Sequence, residues 1–204
     1  MSRKKLPLKW YRSASTLELS RQLLGKYLVR DSEEGRTAGM IVETEAYVGT
    51  TDRACHAFGG RRSARNETMY AAAGTSYVYI CYGIHHLFNV VVQEEGDPHA
   101  VLIRALEPEE GMHLMLERRG LEKPAFRLTK GPGSLSVAMD IDKELSGAML
   151  HQNRLWIEDR GVVLPDSAVA SGPRVGVKGA GPEAAAKPWR FWLEGNPWVS
   201  RWVP

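Results

Sequence analysis

Two glutamates and a tyrosine alternate along one short segment, Ile41-Val42-Glu43-Thr44-Glu45-Ala46-Tyr47. Side chains two positions apart on a β-strand lie on the same face, so Glu43, Glu45 and Tyr47 are predicted to share a face. Carboxylates on an otherwise apolar strand are costly to bury unless they are paired or used in chemistry. Three interpretations stay open: a solvated or salt-bridged pair, a divalent-metal site of the nuclease type, or a general base that activates water.

A loop rich in arginine follows. Between residues 53 and 66 the chain has neither Asp nor Glu but four arginines, which are Arg53, Arg61, Arg62 and Arg65. Gly59-Gly60 would let a ligand approach the backbone closely. The planar guanidinium matches phosphate oxygens, so a nucleic-acid backbone is the natural partner, with a solvated basic loop as the alternative.

Two aromatic strands flank a glycine further along. Segments 77–82 and 87–92 are rich in aromatic and β-branched residues, and Gly83 lies between them, which predicts a β-hairpin. Tyr77 and Tyr79 would share one face of the first strand. Tyr82, beside the turn, is poorly placed for a core and well placed to wedge into a base stack, although a cross-strand aromatic pair is also common.

The sequence gives little support for a metal or cofactor site. Neither an HExxH nor a CxxC motif is present, and the two cysteines, Cys55 and Cys81, are too few for a thiolate zinc site. Adjacent histidines at 85–86 would point opposite ways on a strand. The turn 130–134 could offer backbone N–H groups to an anion at a helix start, which alone is a weak indication.

The elements around these residues predict an α+β fold. Ser15-Thr16-Leu17-Glu18 is typical of a helix start, and strands are predicted at 27–30, 40–48, 101–106, 155–158, 174–177 and 190–193. Helices are predicted over 108–119 and 135–139, and residues 49–75 as a long functional loop. Because strands and helices do not alternate, we expect a curved, mostly antiparallel sheet flanked by helices, with a protruding β-hairpin.

Composition restricts the class of protein. The 204 residues are 43% hydrophobic and 25% charged with a formal net charge of +3, which is ordinary for a globular chain and compatible with nucleic acid. A single domain over 1–204 with a short basic N-terminal arm of about residues 1–12 is expected. The arm lacks the apolar stretch of a secretory signal, and few cysteines fit a reduced cytosol, so we expect a cytoplasmic protein.

Several of these motifs, in this order, resemble those of the alkyladenine (3-methyladenine) DNA glycosylase family, in its compact bacterial form. The resemblance runs from about Leu23 to Ser200. It is carried by the stretches at 41–47, 59–61 (Gly-Gly-Arg), 65–66 (Arg-Asn), 77–83 (Tyr-Val-Tyr-Ile-Cys-Tyr-Gly), 101–108, 174–177 (Arg-Val-Gly-Val) and 195–200 (Gly-Asn-Pro-Trp-Val-Ser).

The resemblance implies a role for each of ten residues. Glu45 would be the general base that deprotonates water for attack on C1′, with Arg104 and the backbone near Val177 helping to hold that water. The other seven would contact the base or the DNA: Tyr47, His56 and Tyr79 as stacking walls, Asn89 as the gate against the guanine amino group, Tyr82 as the wedge with Met69 beside it, and Arg61 on a phosphate.

The implied activity is removal of a flipped-out alkylated or deaminated purine from double-stranded DNA. The lesion class would comprise 3-methyladenine, 7-methylguanine, hypoxanthine and ethenoadenine, and the product would be an abasic site. No lysine lies in the pocket motifs, so a monofunctional enzyme is expected, acting as a monomer without cofactor in the bacterial cytosol or nucleoid. Ser134, where many relatives have lysine, and His85-His86 depart from the pattern. A metal-dependent nuclease and a DNA-binding module without chemistry are the alternatives.

Overall fold

The fold is α+β, as the sequence predicts. This computed structural model describes residues 3–200, which contain one open antiparallel sheet of nine strands and four α-helices. The strands are β1 (Lys4–Lys5), β2 (Tyr27–Ser32), β3 (Gly35–Tyr47), β4 (Ser76–Cys81), β5 (His85–Val92), β6 (His99–Glu110), β7 (Leu155–Asp159), β8 (Val169–Gly172) and β9 (Arg190–Leu193). The helices are α1 (Thr16–Gln22), α2 (Met112–Arg118), α3 (Pro132–Ala138) and α4 (Pro182–Ala186).

The long strand β3 organises the sheet. The main path runs β1-β7-β2-β3-β6-β5-β4, and β9 joins β3 while also pairing with β8. The first half of β3 pairs with β2, its end pairs with β9 at residues 43–45, and β6 follows its other edge. A register shift between Ile41 and Glu43 marks a bulge, which allows Ile41 and Val42 both to enter the main core. A second register shift lies between Glu43 and Thr44, yet Glu43 and Glu45 both contact Arg104 and Tyr47 contacts Glu45, so the three side chains lie together.

Helix α1 covers the opposite face of β3. The Ser15 side chain accepts a hydrogen bond from the Glu18 N–H, which confirms the predicted helix start. Leu19 and Leu23 are fully buried in the core, and the Thr44 hydroxyl of β3 donates to the Ser20 carbonyl at 2.9 Å. The helix therefore fixes one face of β3 and leaves the other for the polar residues.

The predicted hairpin is present and its turn contains Tyr82 itself. Tyr82 and Gly83 have φ values of 52° and 74°, and the Ile84 N–H donates to the Cys81 carbonyl at 3.2 Å. Two consecutive positive φ angles closed by this hydrogen bond are the geometry of a type I′ turn, and the pairing of Cys81 with His85 leaves three residues between the strands. Positive φ is uncommon for a tyrosine, so the turn holds this side chain outward at some conformational cost.

The prediction of a helix from residue 108 is wrong at its start. Strand β6 continues to Glu110, with Pro108 opposite Gly39 of β3 beside a register shift. An irregular position of this kind tolerates proline, which has no N–H for a regular ladder. Helix α2 begins only after Gly111, whose φ is 71°.

The prediction of a strand over 174–177 is also wrong. Strand β8 ends at Gly172, and the next residues form no ladder. The Val175 N–H donates to a side chain, Glu45, instead of to a neighbouring strand, and Arg174 points inward. Local β-propensity is overridden here by these polar contacts.

The remaining predicted segments lie against the sheet. Loop 49–75 contains short 3₁₀ turns at Gly49–Thr51, Phe58–Gly60 and Glu67–Tyr70. The described part of the N-terminal arm is folded, because β1 pairs with β7 and Tyr11 is fully buried; residues 1–2 of the arm lie outside the described chain. No helix within residues 3–200 is both long and apolar enough to cross a bilayer.

Candidate active site

A cavity of about 500 Å³ opens between the end of β3, the hairpin and the loop 173–177. This volume is within the range of small-molecule sites. Its lining contains eight of the ten residues implied by the resemblance, which are Tyr47, His56, Met69, Tyr79, Tyr82, Asn89, Arg104 and Val177. The structure therefore brings together residues that are up to 130 positions apart in the sequence.

Glu45 lies directly behind the cavity surface and is fully buried. Its Oε1 accepts a 2.7 Å hydrogen bond from the Val175 N–H and lies 3.2 Å from Nη1 of Arg104. Its Oε2 accepts a 2.8 Å hydrogen bond from the Tyr47 hydroxyl. Glu45 itself is not among the lining residues, but all three of its partners are, so the groups that hold the carboxylate form part of the cavity wall. A buried carboxylate needs such donors to offset its lost hydration.

Glu43 performs a different task, as the anchor of Arg104. Arg104 Nε donates to Glu43 Oε1 at 2.9 Å, and Arg190 Nη1 donates to the same oxygen at 3.1 Å. The Ser200 N–H and hydroxyl each donate to Glu43 at 2.7 Å. Burial lowers the pKa of Arg104, but the Glu45 and Glu43 carboxylates outweigh it and leave that pKa raised. The guanidinium is therefore a permanent cation between two carboxylates.

Aromatic rings form one wall of the cavity. The His56 and Tyr79 rings meet edge to face with centroids 4.6 Å apart, and Tyr77 lies 5.6 Å from Tyr79. His56 Nδ1 is 2.9 Å from the Tyr77 hydroxyl. The pKa of His56 is lowered by burial and by the nearby Arg65 and Arg61, which favours the neutral ring. Burial likewise raises the pKa of Tyr79. The wall is thus uncharged and suited to stacking.

Three further implied residues have defined places in the pocket. The Asn89 side chain donates to the Tyr77 and Leu87 carbonyls, both at 3.1 Å, which fixes its orientation in the wall. Met69 is 2% exposed, packs in a small cluster with Tyr47 and Tyr79, and lines the same cavity as Tyr82. Val177 is half-buried in the lining, although the backbone N–H that reaches Glu45 is that of Val175.

The hairpin tip and the arginine loop present apolar and basic groups to solvent. Tyr82 is 87% exposed and Ile84 is 74% exposed. Arg61 is exposed, while its carbonyl accepts hydrogen bonds from the Asn66 side chain and the Tyr70 hydroxyl. The pairing of apolar tip and basic loop fits a surface that meets DNA.

Comparison with known proteins identifies the family. A family model described as methylpurine-DNA glycosylase matches residues 9–197. The chain belongs to the methylpurine-DNA glycosylase family. It is therefore a DNA repair enzyme, a hydrolase of N-glycosyl bonds that acts in base excision repair.

Relatives of this glycosylase cover nearly its whole length. A Bacillus subtilis protein named "Putative 3-methyladenine DNA glycosylase" is 45% identical over 203 residues, which are 98% of this chain and 100% of that protein. Proteins of the same name from Bacillus licheniformis and Methanocella arvoryzae are 48% and 44% identical, and each alignment covers at least 96% of both chains. The resemblance inferred from the motifs is confirmed.

The glycosylase also has site residues that sequence reasoning missed. Arg174, Val175 and Ser200 lie in stretches that carry the resemblance, but their roles depend on backbone atoms or long-range contacts that no local pattern predicts. Ile84, in contrast, could have been found from the sequence. It follows directly after the Tyr-Gly turn, where an aliphatic residue indicates an exposed apolar tip. Glu43 was visible in the sequence, but its role as the anchor of Arg104 was not.

Proposed function

We propose that this glycosylase flips an alkylated or deaminated purine out of duplex DNA and hydrolyses its N-glycosyl bond with Glu45 as general base. The observation that carries the proposal is the position of the Glu45 carboxylate, which is held by three groups that line an aromatic-walled cavity. The product is an abasic site, and the protein acts as a monomer. The lesion class comprises 3-methyladenine, 7-methylguanine, hypoxanthine and ethenoadenine.

The hydrogen bonds of Glu45 leave it able to accept a proton. Oε1 already has the Val175 N–H and Arg104 as partners, whereas Oε2 has the Tyr47 hydroxyl alone. A carboxylate oxygen has about two acceptor positions, so Oε2 can take a water molecule as a second donor. That water attacks C1′ of the sugar, its proton passes to Oε2, and the electron pair of the broken bond leaves with the base. The Arg104 charge and the carboxylate together orient the water.

The aromatic wall supports base flipping. A purine inside a duplex cannot present C1′ to a side chain, so the nucleotide must turn out of the stack at a cost of a few kcal/mol. Stacking against aromatic rings is worth about 1–3 kcal/mol per base, and Tyr47, His56 and Tyr79 offer such faces. Tyr82 and Ile84 fill the gap left in the duplex, and Arg61 contacts a phosphate.

For cationic lesions the leaving group explains why one carboxylate suffices, whereas a neutral hypoxanthine or ethenoadenine must also gain a proton as it departs. A purine alkylated at a ring nitrogen, such as 3-methyladenine, is cationic and departs as a neutral base. The residues that line the cavity in the described chain include no lysine, which agrees with hydrolysis by water rather than with an imine intermediate. We therefore propose a monofunctional enzyme.

The nuclease alternative is disfavoured by the partners of Glu43. A two-carboxylate metal site needs free oxygens on both glutamates, yet Glu43 accepts from Arg104, Arg190 and Ser200. Within residues 3–200 no three His, Cys, Asp or Glu side chains converge as a metal-binding group. Two guanidinium cations beside Glu43 would also repel a divalent cation.

A base-release assay tests the proposal. Methylated duplex DNA and a duplex containing inosine are incubated with the wild-type protein and with Glu45→Gln, with and without EDTA, and free bases are separated by chromatography. We expect the wild type to release free base in EDTA, with strand breaks only after alkali, and Glu45→Gln to release it at least about 100-fold more slowly. The glutamine oxygen can still accept from Val175, so this variant should bind an abasic-site analogue like the wild type. Near-normal release by Glu45→Gln, or direct cleavage that EDTA abolishes, would contradict the proposal.

A further inference from the structure

A completely buried ion pair lies behind the cavity wall. Asp52 and Arg174 have no exposed side-chain surface, and Arg174 donates to both Asp52 oxygens in a bidentate arrangement. Neither residue lines the cavity. Because the desolvation of two charges largely offsets their attraction, a buried pair is weak evidence for a stabilising role. Its other contacts indicate what it holds in place.

Arg174 contacts the strand that carries the general base. Its Nη1 donates a 2.8 Å hydrogen bond to the carbonyl of Ala46, the residue between Glu45 and Tyr47. Its guanidinium lies between two rings, 4.9 Å from the centroid of Tyr47 and 5.0 Å from that of Trp189. A planar guanidinium stacks well on aromatic faces, so Arg174 restrains the ring whose hydroxyl donates to Glu45.

Arg174 also fixes the second donor to the base. It directly precedes Val175, whose N–H donates to Glu45 Oε1 at 2.7 Å. The Pro173 carbonyl on its other side accepts a 3.0 Å hydrogen bond from Arg190 Nε. Loop 173–175 forms no strand, so these side-chain contacts determine where the Val175 N–H points.

Asp52 connects the same unit to the aromatic wall. Its carboxylate accepts hydrogen bonds from the N–H groups of Val48 at 3.2 Å and Ala54 at 3.1 Å. Val48 follows Tyr47 at the end of β3, and Ala54 lies in the cavity lining two residues before His56. The Arg174 partner keeps the pKa of Asp52 lowered, although burial opposes it. The Asp52 carboxylate therefore connects the end of β3 to the loop that carries the aromatic wall of the cavity.

We infer that Asp52 and Arg174 form a positioning pair for the general base, which holds the Tyr47 hydroxyl and the Val175 N–H on Glu45 without touching the purine. The inference rests on the proposed function of Glu45. A positioning role predicts loss in the chemical step with little loss of DNA binding, because the hairpin tip and the arginine loop contact DNA independently. A misplacement of about 1 Å can cost about 100-fold in rate.

The test uses Arg174→Lys, Asp52→Asn and the double variant. Lysine keeps the charge but loses the bidentate fork and the flat stacking surface, and asparagine keeps the shape and one acceptor for Arg174. The matched control is Arg160→Lys: Arg160 is also buried, pairs with Glu158 and lies 4.1 Å from the Tyr27 ring centroid, outside the cavity. Single-turnover base release is measured on methylated duplex DNA, and affinity on a duplex with a tetrahydrofuran abasic-site analogue, at a temperature where urea melts show each variant folded.

We expect release by Arg174→Lys to fall about 10- to 100-fold and its affinity to change less than threefold. Asp52→Asn should also slow base release, but by a smaller factor. The double variant should release base no more slowly than Arg174→Lys alone. Arg160→Lys should leave both quantities within threefold of the wild type. Release within threefold of the wild type in both single variants, or equal losses of release and affinity, would overturn the inference while leaving the proposed function intact. Absence of release by the wild type would contradict both.

Discussion

The Tyr47 hydroxyl donates a 2.8 Å hydrogen bond to Oε2 of Glu45, two residues earlier on strand β3. The same tyrosine ring lines the cavity. Burial, and secondarily the adjacent carboxylate, holds the pKa of Tyr47 well above its ordinary value of 10, so the hydroxyl keeps its proton and stays a donor. One side chain therefore serves both as a stacking surface and as a partner of the proposed base.

Substitutions at Tyr47 should separate these two roles. Tyr47→Phe keeps the ring and removes one donor, so we expect release of methylated purines to slow by up to about tenfold, the value of a single hydrogen bond. Tyr47→Ala removes the ring as well and should also weaken binding of lesion-containing duplex. Single-turnover release and lesion affinity measured on both variants check this. Equal lesion affinity in Tyr47→Ala and the wild type would contradict a stacking role.

Glu43 should matter for stability. Glu43→Ala would leave Arg104 and Arg190 buried without their shared carboxylate, and breaking a buried ion pair in this way costs about 3–5 kcal/mol. Urea unfolding followed by tryptophan fluorescence measures the loss. Glu94→Ala, which removes the exposed partner of Arg12, serves as the comparison and should change the free energy of unfolding by about 1 kcal/mol or less. If Glu43→Ala also lowers the free energy of unfolding by only about 1 kcal/mol, Glu43 does not act as the anchor of Arg104.

The hairpin tip should matter for lesion retention and not for folding. Tyr82 and Ile84 are largely exposed, so Tyr82→Ala and Ile84→Ala should leave the free energy of unfolding within about 0.5 kcal/mol of the wild type. Both should weaken binding to a duplex with an abasic-site analogue, more strongly for the aromatic residue.

The control for the hairpin tip is Val163→Ala, since Val163 is 89% exposed and does not line the cavity. Its lesion affinity should equal that of the wild type. Unchanged affinity in Tyr82→Ala would indicate that the tip does not enter the duplex.

His56 should make folding stability depend on pH. Burial and the two nearby arginines lower its pKa below the ordinary value of 6.5, so the unfolded chain binds a proton near pH 6.5 that the folded protein binds only at lower pH. The free energy of unfolding therefore falls as the pH decreases below about 6.5. His99, whose pKa burial also lowers, acts in the same direction.

Urea melts between about pH 7 and pH 5 measure this effect. We expect the free energy of unfolding of His56→Gln to depend less steeply on pH than that of the wild type, because one contributing histidine is removed. The contribution of His99 remains in this variant. Val163→Ala, which changes an exposed side chain and removes no titratable group, should keep the slope of the wild type. The carboxylates with lowered pKa, Asp52, Glu67 and Asp159, start from ordinary values of 3.8 to 4.5 and contribute only at lower pH. An unchanged slope in His56→Gln would show that this ring is not kept neutral.

Local patterns were sufficient where the local environment decides the structure. The capping box before α1, the hairpin around Gly83 and the shared face of Glu43, Glu45 and Tyr47 each depend on neighbours a few residues away. The two wrong elements depend on distant partners. Residues 108–110 extend β6 because β3 pairs with them, and residues 174–177 form no strand because their polar groups bind Asp52 and Glu45.

The sequence by itself determined the family and the fold class, and through the family resemblance it indicated Glu45 as the proposed base, because motif order and strand periodicity are properties of the chain alone. Only the tertiary structure decided which carboxylate is an anchor and which faces the cavity wall. Glu43 and Glu45 are alike in type and spacing, and they differ in the residues that contact them from more than fifty positions away. Such contacts form only when β6, β9 and the loop 173–177 pack beside β3, and no local pattern encodes them.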